Sequence, residues 1–174
     1  MSDRAWRNNI IRFGVLLLLQ VFLFQQVNWG WREEDILFIY IYPLFILMLP
    51  IQIFRPFVIV LGFAMGLCVD LFYDTLGMHA AAGTFAAYLR PSIFNLVSPP
   101  NGYNIKLGPV PRDLGWAWFS RVLFLLLAID LFIFFGAQAF APQYIGQILL
   151  KTAVSLPPSY LMIVLGVLIF NPKA

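Results

Sequence analysis

Six times in this chain an apolar stretch approaches the roughly 20 residues that a bilayer core demands. The stretches cover residues 10–27, 36–54, 57–73, 78–96, 122–140 and 146–170. Water cannot be the main solvent of such a sequence. Of its 174 residues 61% are hydrophobic and 11% charged, where a soluble domain carries about a quarter charged. The expected fold is all-α: a polytopic membrane helix bundle of six transmembrane helices, forming a single integral membrane domain over residues 1–174. The opening MSDRAWRNNIIRFGVLLLLQ has the basic head and apolar run of a secretion signal. It leads into QQVNWGWREED rather than a small-residue cleavage site, so it reads as a retained first helix. In the last stretch, Pro157 and Pro158 imply a kinked helix, with Lys151 snorkelling to the interface.

The distribution of Lys and Arg sets the expected orientation. With the N-terminus inside, the inner face carries Arg4, Arg7, Arg12, Arg55, Arg90, Lys106, Arg112, Arg121 and Lys173, nine of the 11 basic residues. Only Arg32 and Lys151 remain for the outer face, so both termini are expected in the cytoplasm. The acids Glu33, Glu34, Asp35, Asp70 and Asp74 fall outside. Trp29 and Trp31 would mark the outer interface, and Trp116 and Trp118 the inner one. Basic residues spread over short connections do not make the single solvated stripe of a nucleic-acid interface.

Most connections are tight and make neighbouring helices antiparallel. The connection 97–115 is longer, rich in proline and glycine, and without an apolar period. It reads as irregular cytoplasmic structure, either a passive tether or a docking loop for a cytoplasmic partner.

Residues 57–96 carry the densest pattern. Gly62 and Gly66 stand four apart, and Asp70 continues their helical face one turn later. The next stretch answers with Ala80, Ala81, Ala82, Gly83, Ala86 and Ala87, across a turn through Asp74, Thr75, Leu76 and Gly77. Small residues so placed let helix backbones approach closely, which drives association in lipid. Asp70 and His79 flank the turn and are expected to pair across it. With one histidine in the chain and only Asp74 nearby, a metal site is not expected. The one cysteine, Cys68, lies in an apolar run and excludes both a disulfide framework and a Cys-based zinc site.

Asp130 lies near the middle of the fifth stretch among Ile129, Leu131 and Phe132. A central Asp costs roughly 2.5–3.5 kcal/mol to insert, so it is expected to face the bundle interior. Gln20 and Ser155 come to a similar depth and are the expected hydrogen-bond partners. The structural reading is a carboxyl group holding the first, fifth and sixth helices together; the functional one is a proton or cation site, or a contact to another protein's helix. Nucleophile elbows, His-Glu-x-x-His and glycine-rich phosphate loops do not occur, so catalysis is not expected and no cofactor is implied.

The stretch 62–95, GFAMGLCVDLFYDTLGMHAAAGTFAAYLRPSIFN, resembles the signature region of the rod-shape-determining membrane protein MreD family. That family shows Gly-x-x-x-Gly-Leu-x-x-Asp-Leu, a short turn, Leu-Gly-x-His, then a small-residue helix ending in Tyr-Leu and a basic residue. Gly62, Gly66, Leu67, Asp70, Leu71, Leu76, Gly77, His79, Tyr88, Leu89 and Arg90 fit those positions, and Gly83 lies on the small-residue helix. The match covers about a fifth of the chain. The long 97–115 connection departs from shorter members. The resemblance implies a non-catalytic subunit of the bacterial cell-elongation (Rod) complex in the cytoplasmic membrane. It would pair with a bitopic MreC-like protein and belong with MreB, RodA and PBP2 in peptidoglycan synthesis. In its six-helix plan the family also resembles the substrate-binding subunits of energy-coupling-factor vitamin transporters. That alternative would need a polar pocket opening outward, and Arg32, Glu33, Asp35, Asp70 and His79 are its available groups.

Overall fold

The computed structural model describes residues 3–25, 27, 29–31, 34–99, 102–103 and 108–170. Arg32, Glu33, Lys106 and Lys173, counted above for orientation, lie outside the described residues. The chain is mostly helical. Helix α1 (Asp3–Leu19) passes into a π-helical turn (Gln20–Phe24), followed by a two-stranded antiparallel ribbon of β1 (Trp29–Trp31) and β2 (Glu34–Leu37). Then come α2 (Pro43–Met48), α3 (Arg55–Tyr73), α4 (Met78–Leu96), the single turn α5 (Pro111–Leu114), α6 (Trp116–Ala139), a 3-10 turn (Pro142–Tyr144) and α7 (Ile145–Phe170).

Four helical segments are long and apolar enough to cross a membrane: Arg7–Phe24, Arg55–Tyr73, Trp116–Ala139 and Ile145–Ile169. Helix α4 matches α3 at 19 residues, but alanine, glycine and threonine take the place of larger apolar side chains. It lies between α3 and α6, and α6 in turn packs on α7. Helix α7 runs unbroken through Pro157 and Pro158.

The second apolar stretch departs from expectation. Residues 36–54 do not form one transmembrane helix. Strand β2 ends at Leu37, the chain continues without helix to Tyr42, and only six residues are helical in α2, which starts on Pro43. This segment is nevertheless the best-buried part of the molecule: Tyr40, Tyr42, Ile46, Leu47 and Leu49 are all at most 1% exposed. Helix α2 packs against α1, α3, α4 and α6. Pro43 suits the first helical turn, where no N–H partner is lost. Non-helical backbone at membrane depth is tolerated where protein surrounds it and satisfies its polar groups. Here protein surrounds the segment, and side chains bind most of its backbone polar groups.

The hairpin of α3 and α4 matches the small-residue reading. A β-carbon placed on Gly66 would stand 2.2 Å from the His79 carbonyl oxygen, and one on Gly62 would stand 2.6 Å from that of Gly83. Gly83 returns the contact at 2.7 Å from the Gly62 oxygen. No larger residue fits these crossings without moving a backbone. Gly77, at the end of the turn, is not one of these packing glycines. It has open space around its α-carbon and a φ of +80°, a left-handed conformation that L side chains rarely adopt and that starts α4 after a four-residue turn.

On the opposite side of the bundle the 97–115 connection is pinned at two points. The Tyr103 hydroxyl donates to the Phe94 carbonyl at 2.6 Å and accepts from the Trp118 indole N–H at 3.0 Å. The three rings pack with centroids 5.4–5.9 Å apart. Burial holds the Tyr103 phenol above its ordinary pKa, although the Trp118 hydrogen bond and Arg90 oppose this. Asp113 accepts from the Gly108 N–H at 2.7 Å. In its described parts, therefore, this connection is tied to the end of α4 and the start of α6.

Candidate functional site

Four of the polar residues singled out by sequence, Gln20, His79, Asp130 and Ser155, converge on the non-helical segment between β2 and α2. Gln20 lies where α1 widens into its π-helical turn, and it is fully buried. Its amide serves the segment from one side: Nε2 donates to the Ile39 carbonyl at 3.1 Å, and Oε1 accepts from Ile41 N–H at 2.7 Å. Tyr73 at the end of α3 joins in, donating to the Gln20 carbonyl at 3.0 Å and accepting from its Nε2 at 2.7 Å.

Helix α7 serves the segment from the other side. Ser155 Oγ accepts from Phe38 N–H at 3.1 Å and donates to the Ile36 carbonyl at 3.3 Å. Ser159 Oγ accepts from Tyr40 N–H at 3.0 Å and donates to the Phe38 carbonyl at 3.3 Å. Residues four apart on a helix are separated by about 6 Å of rise. Two residues of extended chain cover about 6.6 Å. The serines therefore meet the segment in register, and a helix stands in for a neighbouring strand. This corrects the expectation that Gln20 and Ser155 would bind Asp130, because unpaired backbone groups at the same depth claim them instead.

Asp130 on α6 is fully buried and has a different partner, accepting from the Tyr42 hydroxyl at 2.8 Å through Oδ2. Its Oδ1 has no partner among the described residues. The carboxyl group thus fastens α6 to the entry of α2 rather than joining α1, α6 and α7.

Asp70 and His79 meet, but through the backbone. One Asp70 oxygen accepts from His79 N–H at 3.0 Å and from the Thr75 hydroxyl at 2.5 Å, and the other accepts from Ala80 N–H at 2.8 Å. The residue before α4 is Gly77, which has no side chain to cap the helix. Asp70 supplies the cap from α3, where an acid also complements the positive end of the helix dipole. The His79 imidazole points elsewhere, into a box of rings. Phe134 stacks on it at 4.3 Å, and Tyr40, Tyr73 and Tyr42 meet it edge-on at 4.9, 5.3 and 5.4 Å. Neither ring nitrogen has a hydrogen-bond partner among the described residues, leaving aromatic faces as its neighbours.

Arg90 closes the far end of α2. It is only 3% exposed, and its guanidinium donates to the carbonyls of Leu47, Leu49 and Pro50 where α2 ends. Its carbon stands 4.4 Å over the Phe94 ring. A cation at a helix C-terminus satisfies carbonyls that have no intrahelical partner. This geometry makes Arg90 a helix-packing residue and leaves its guanidinium no surface for a partner.

Ser159, Tyr40, Tyr42 and Tyr73 were not singled out from the sequence. The alternation Phe38, Tyr40, Tyr42, with isoleucine between, is a period of two and was the available signal. Ser159 lies one turn from Ser155 on the same face. Among the described residues no group of three His, Cys, Asp or Glu side chains is placed to hold a metal ion. Chemically, the arrangement anchors an unwound chain with neutral donors and acceptors, flanked by one buried carboxyl group and one imidazole. No protein-family model, curated protein or solved structure matches this chain.

Proposed function

We propose that this chain is a non-catalytic membrane subunit of the bacterial cell-elongation complex, of the MreD type, bound in the cytoplasmic membrane to an MreC-like bitopic protein. The observation that supports this reading is what the signature residues do. Gly62, Gly66 and Gly83 are spent on backbone contact between α3 and α4, while Asp70 caps α4. A motif devoted to shaping one rigid hairpin suits a scaffold. A transporter subunit would use its polar residues on cargo, whereas here Gln20, Ser155 and Ser159 hold the protein's own backbone.

In this reading the chain crosses the membrane six times with both termini inside. Helices α1, α3, α4, α6 and α7 make five crossings. The second runs through residues 36–48, partly extended and partly helical. At about 3.3 Å per extended residue and 1.5 Å per helical one, that path covers about 30 Å, the thickness of the hydrocarbon core.

The test joins topology to partnership. Cytoplasmic reporters fused after Ser98 and Ala174 are expected to be active and one after Glu34 inactive. The tagged protein in mild detergent is expected to bring the MreC-like protein with it. An active reporter after Glu34 would overturn the topology, and a purified chain devoid of the MreC-like protein would overturn the assignment.

A further inference from the structure

The close approach of α3 and α4 leaves a crevice of about 740 Å³ on the outside of the hairpin, facing away from the buried segment. Its floor includes Ala81 and Thr84, and its rims are Phe63 and Leu67 on α3 with Phe85 and Tyr88 on α4. These rim residues are 39–64% exposed. Two rims with a floor of small side chains make a trough for one helix, since helix axes in contact lie about 8–10 Å apart.

Apolar walls alone would suit a lipid chain as well as a helix. Tyr88 distinguishes the two. It is 64% exposed and makes no hydrogen bond to a described residue. It is the eleventh residue of α4, about 15 Å of rise from Met78, which puts it midway through a core about 30 Å thick. A phenol at that depth reaches neither headgroup layer, and lipid tails offer nothing to accept its proton. Thr84 adds no such demand, because its hydroxyl already donates to the Ala80 carbonyl at 2.6 Å.

We propose that this groove seats one transmembrane helix of a partner protein, which carries a side-chain hydrogen-bond acceptor level with Tyr88. The inference rests on the membrane-subunit reading above and places its partner on the α3–α4 face. Gly62, Gly66 and Gly83 serve this seat indirectly: they draw the two helices together and so set the depth of the trough.

The experiment uses full-length protein co-expressed with the MreC-like protein in bacterial membranes. Cys68 is replaced by Ser, and single cysteines are introduced at Leu67, at Phe85 and, as a control on α7, at Leu168, which is 53% exposed. Each is oxidised against cysteines stepped along the partner's transmembrane helix. Disulfides are expected at Leu67→Cys and Phe85→Cys with a helical repeat along the partner, and not at Leu168→Cys. Tyr88→Phe keeps the ring, and is expected to weaken co-purification about threefold, as loss of one interhelical hydrogen bond in a membrane does. Co-purification with disulfides only at Leu168→Cys overturns the groove and leaves the assignment standing. Disulfides between two copies of this chain, or none at the groove with the partner retained, also overturn the groove. Loss of the partner from the wild-type preparation overturns both.

Discussion

The Tyr42 hydroxyl donates to the Asp130 carboxyl group at 2.8 Å, linking the start of α2 to the middle of α6. An amide at position 130 can still accept this bond. Asp130→Asn is therefore expected to change stability by less than about 1 kcal/mol, whereas Tyr42→Phe, which leaves the buried carboxyl group unpaired, should cost about 1–3 kcal/mol. Thermal melting in detergent, followed by tryptophan fluorescence, ranks the two. If Asp130→Asn melts normally and still binds its partner but abolishes function, Asp130 works by changing its charge.

Asp70 spans two helices by capping one from the other. Asp70→Ala would strand the amides of His79 and Ala80, at a cost of about 1–3 kcal/mol. Thr75→Val removes a donor to Asp70 but leaves both amides capped, so a smaller loss is expected. Amide hydrogen exchange at His79 and Ala80 offers a local readout. It should accelerate in Asp70→Ala more than at the α6 amides, and uniform acceleration would contradict a local cap.

Gly66 offers a sharp contrast with Gly136. Alanine at 66 must displace the His79 backbone, where a β-carbon has only 2.2 Å. Overpacking of this kind costs about 1–3 kcal/mol. Gly136 in α6 has open space around it, so alanine there should be neutral or gain up to about 1 kcal/mol from helix propensity. Equal melting temperatures for Gly66→Ala and Gly136→Ala would mean that α3 and α4 are not in backbone contact.

Ser155 and Ser159 each satisfy one N–H and one carbonyl of the unwound segment. Replacing both with Ala is expected to cost about 1–3 kcal/mol, given the modest value of hydrogen bonds within membranes. Thr152→Ala is the control, because Thr152 donates only within its own helix, to Ile148 at 2.7 Å. Equal effects of the double variant and the control would show that the segment holds its shape without α7.

Much of the hairpin could be read from residues alone. Stretches placed at 57–73 and 78–96 became Arg55–Tyr73 and Met78–Leu96, because glycine spacing and a turn sequence are local signals. The fifth stretch, placed at 122–140, proved to be Trp116–Ala139: its first turn and a half holds Ser120 and Arg121, which an apolar window rejects and a helix end accepts. The second stretch misled for a physical reason. Hydropathy measures the solvent a segment prefers, and a segment buried inside the bundle is as apolar as a spanning helix. Depth arithmetic likewise brought Gln20 and Ser155 level with Asp130, but it cannot choose between a carboxyl group and an unpaired backbone at one level. The ring box around His79 draws on three separate elements, the unwound segment, α3 and α6, and leaves no local trace.

The order in which a ribosome makes this chain gives the unwound segment a further consequence. Phe38 and Tyr40 wait for hydroxyl partners 117 and 119 residues later in the sequence. When residues 36–48 first leave the ribosome, only Gln20 among their side-chain hydrogen-bond partners has emerged; α4 and α7 have not. A conventional apolar helix can enter lipid alone, since it satisfies its own backbone. This segment cannot, so its final placement belongs to late assembly, when α7 arrives. Chains truncated before Ser155 should therefore leave this region open to protease or to a cysteine label in the membrane, while the α3–α4 hairpin is already closed.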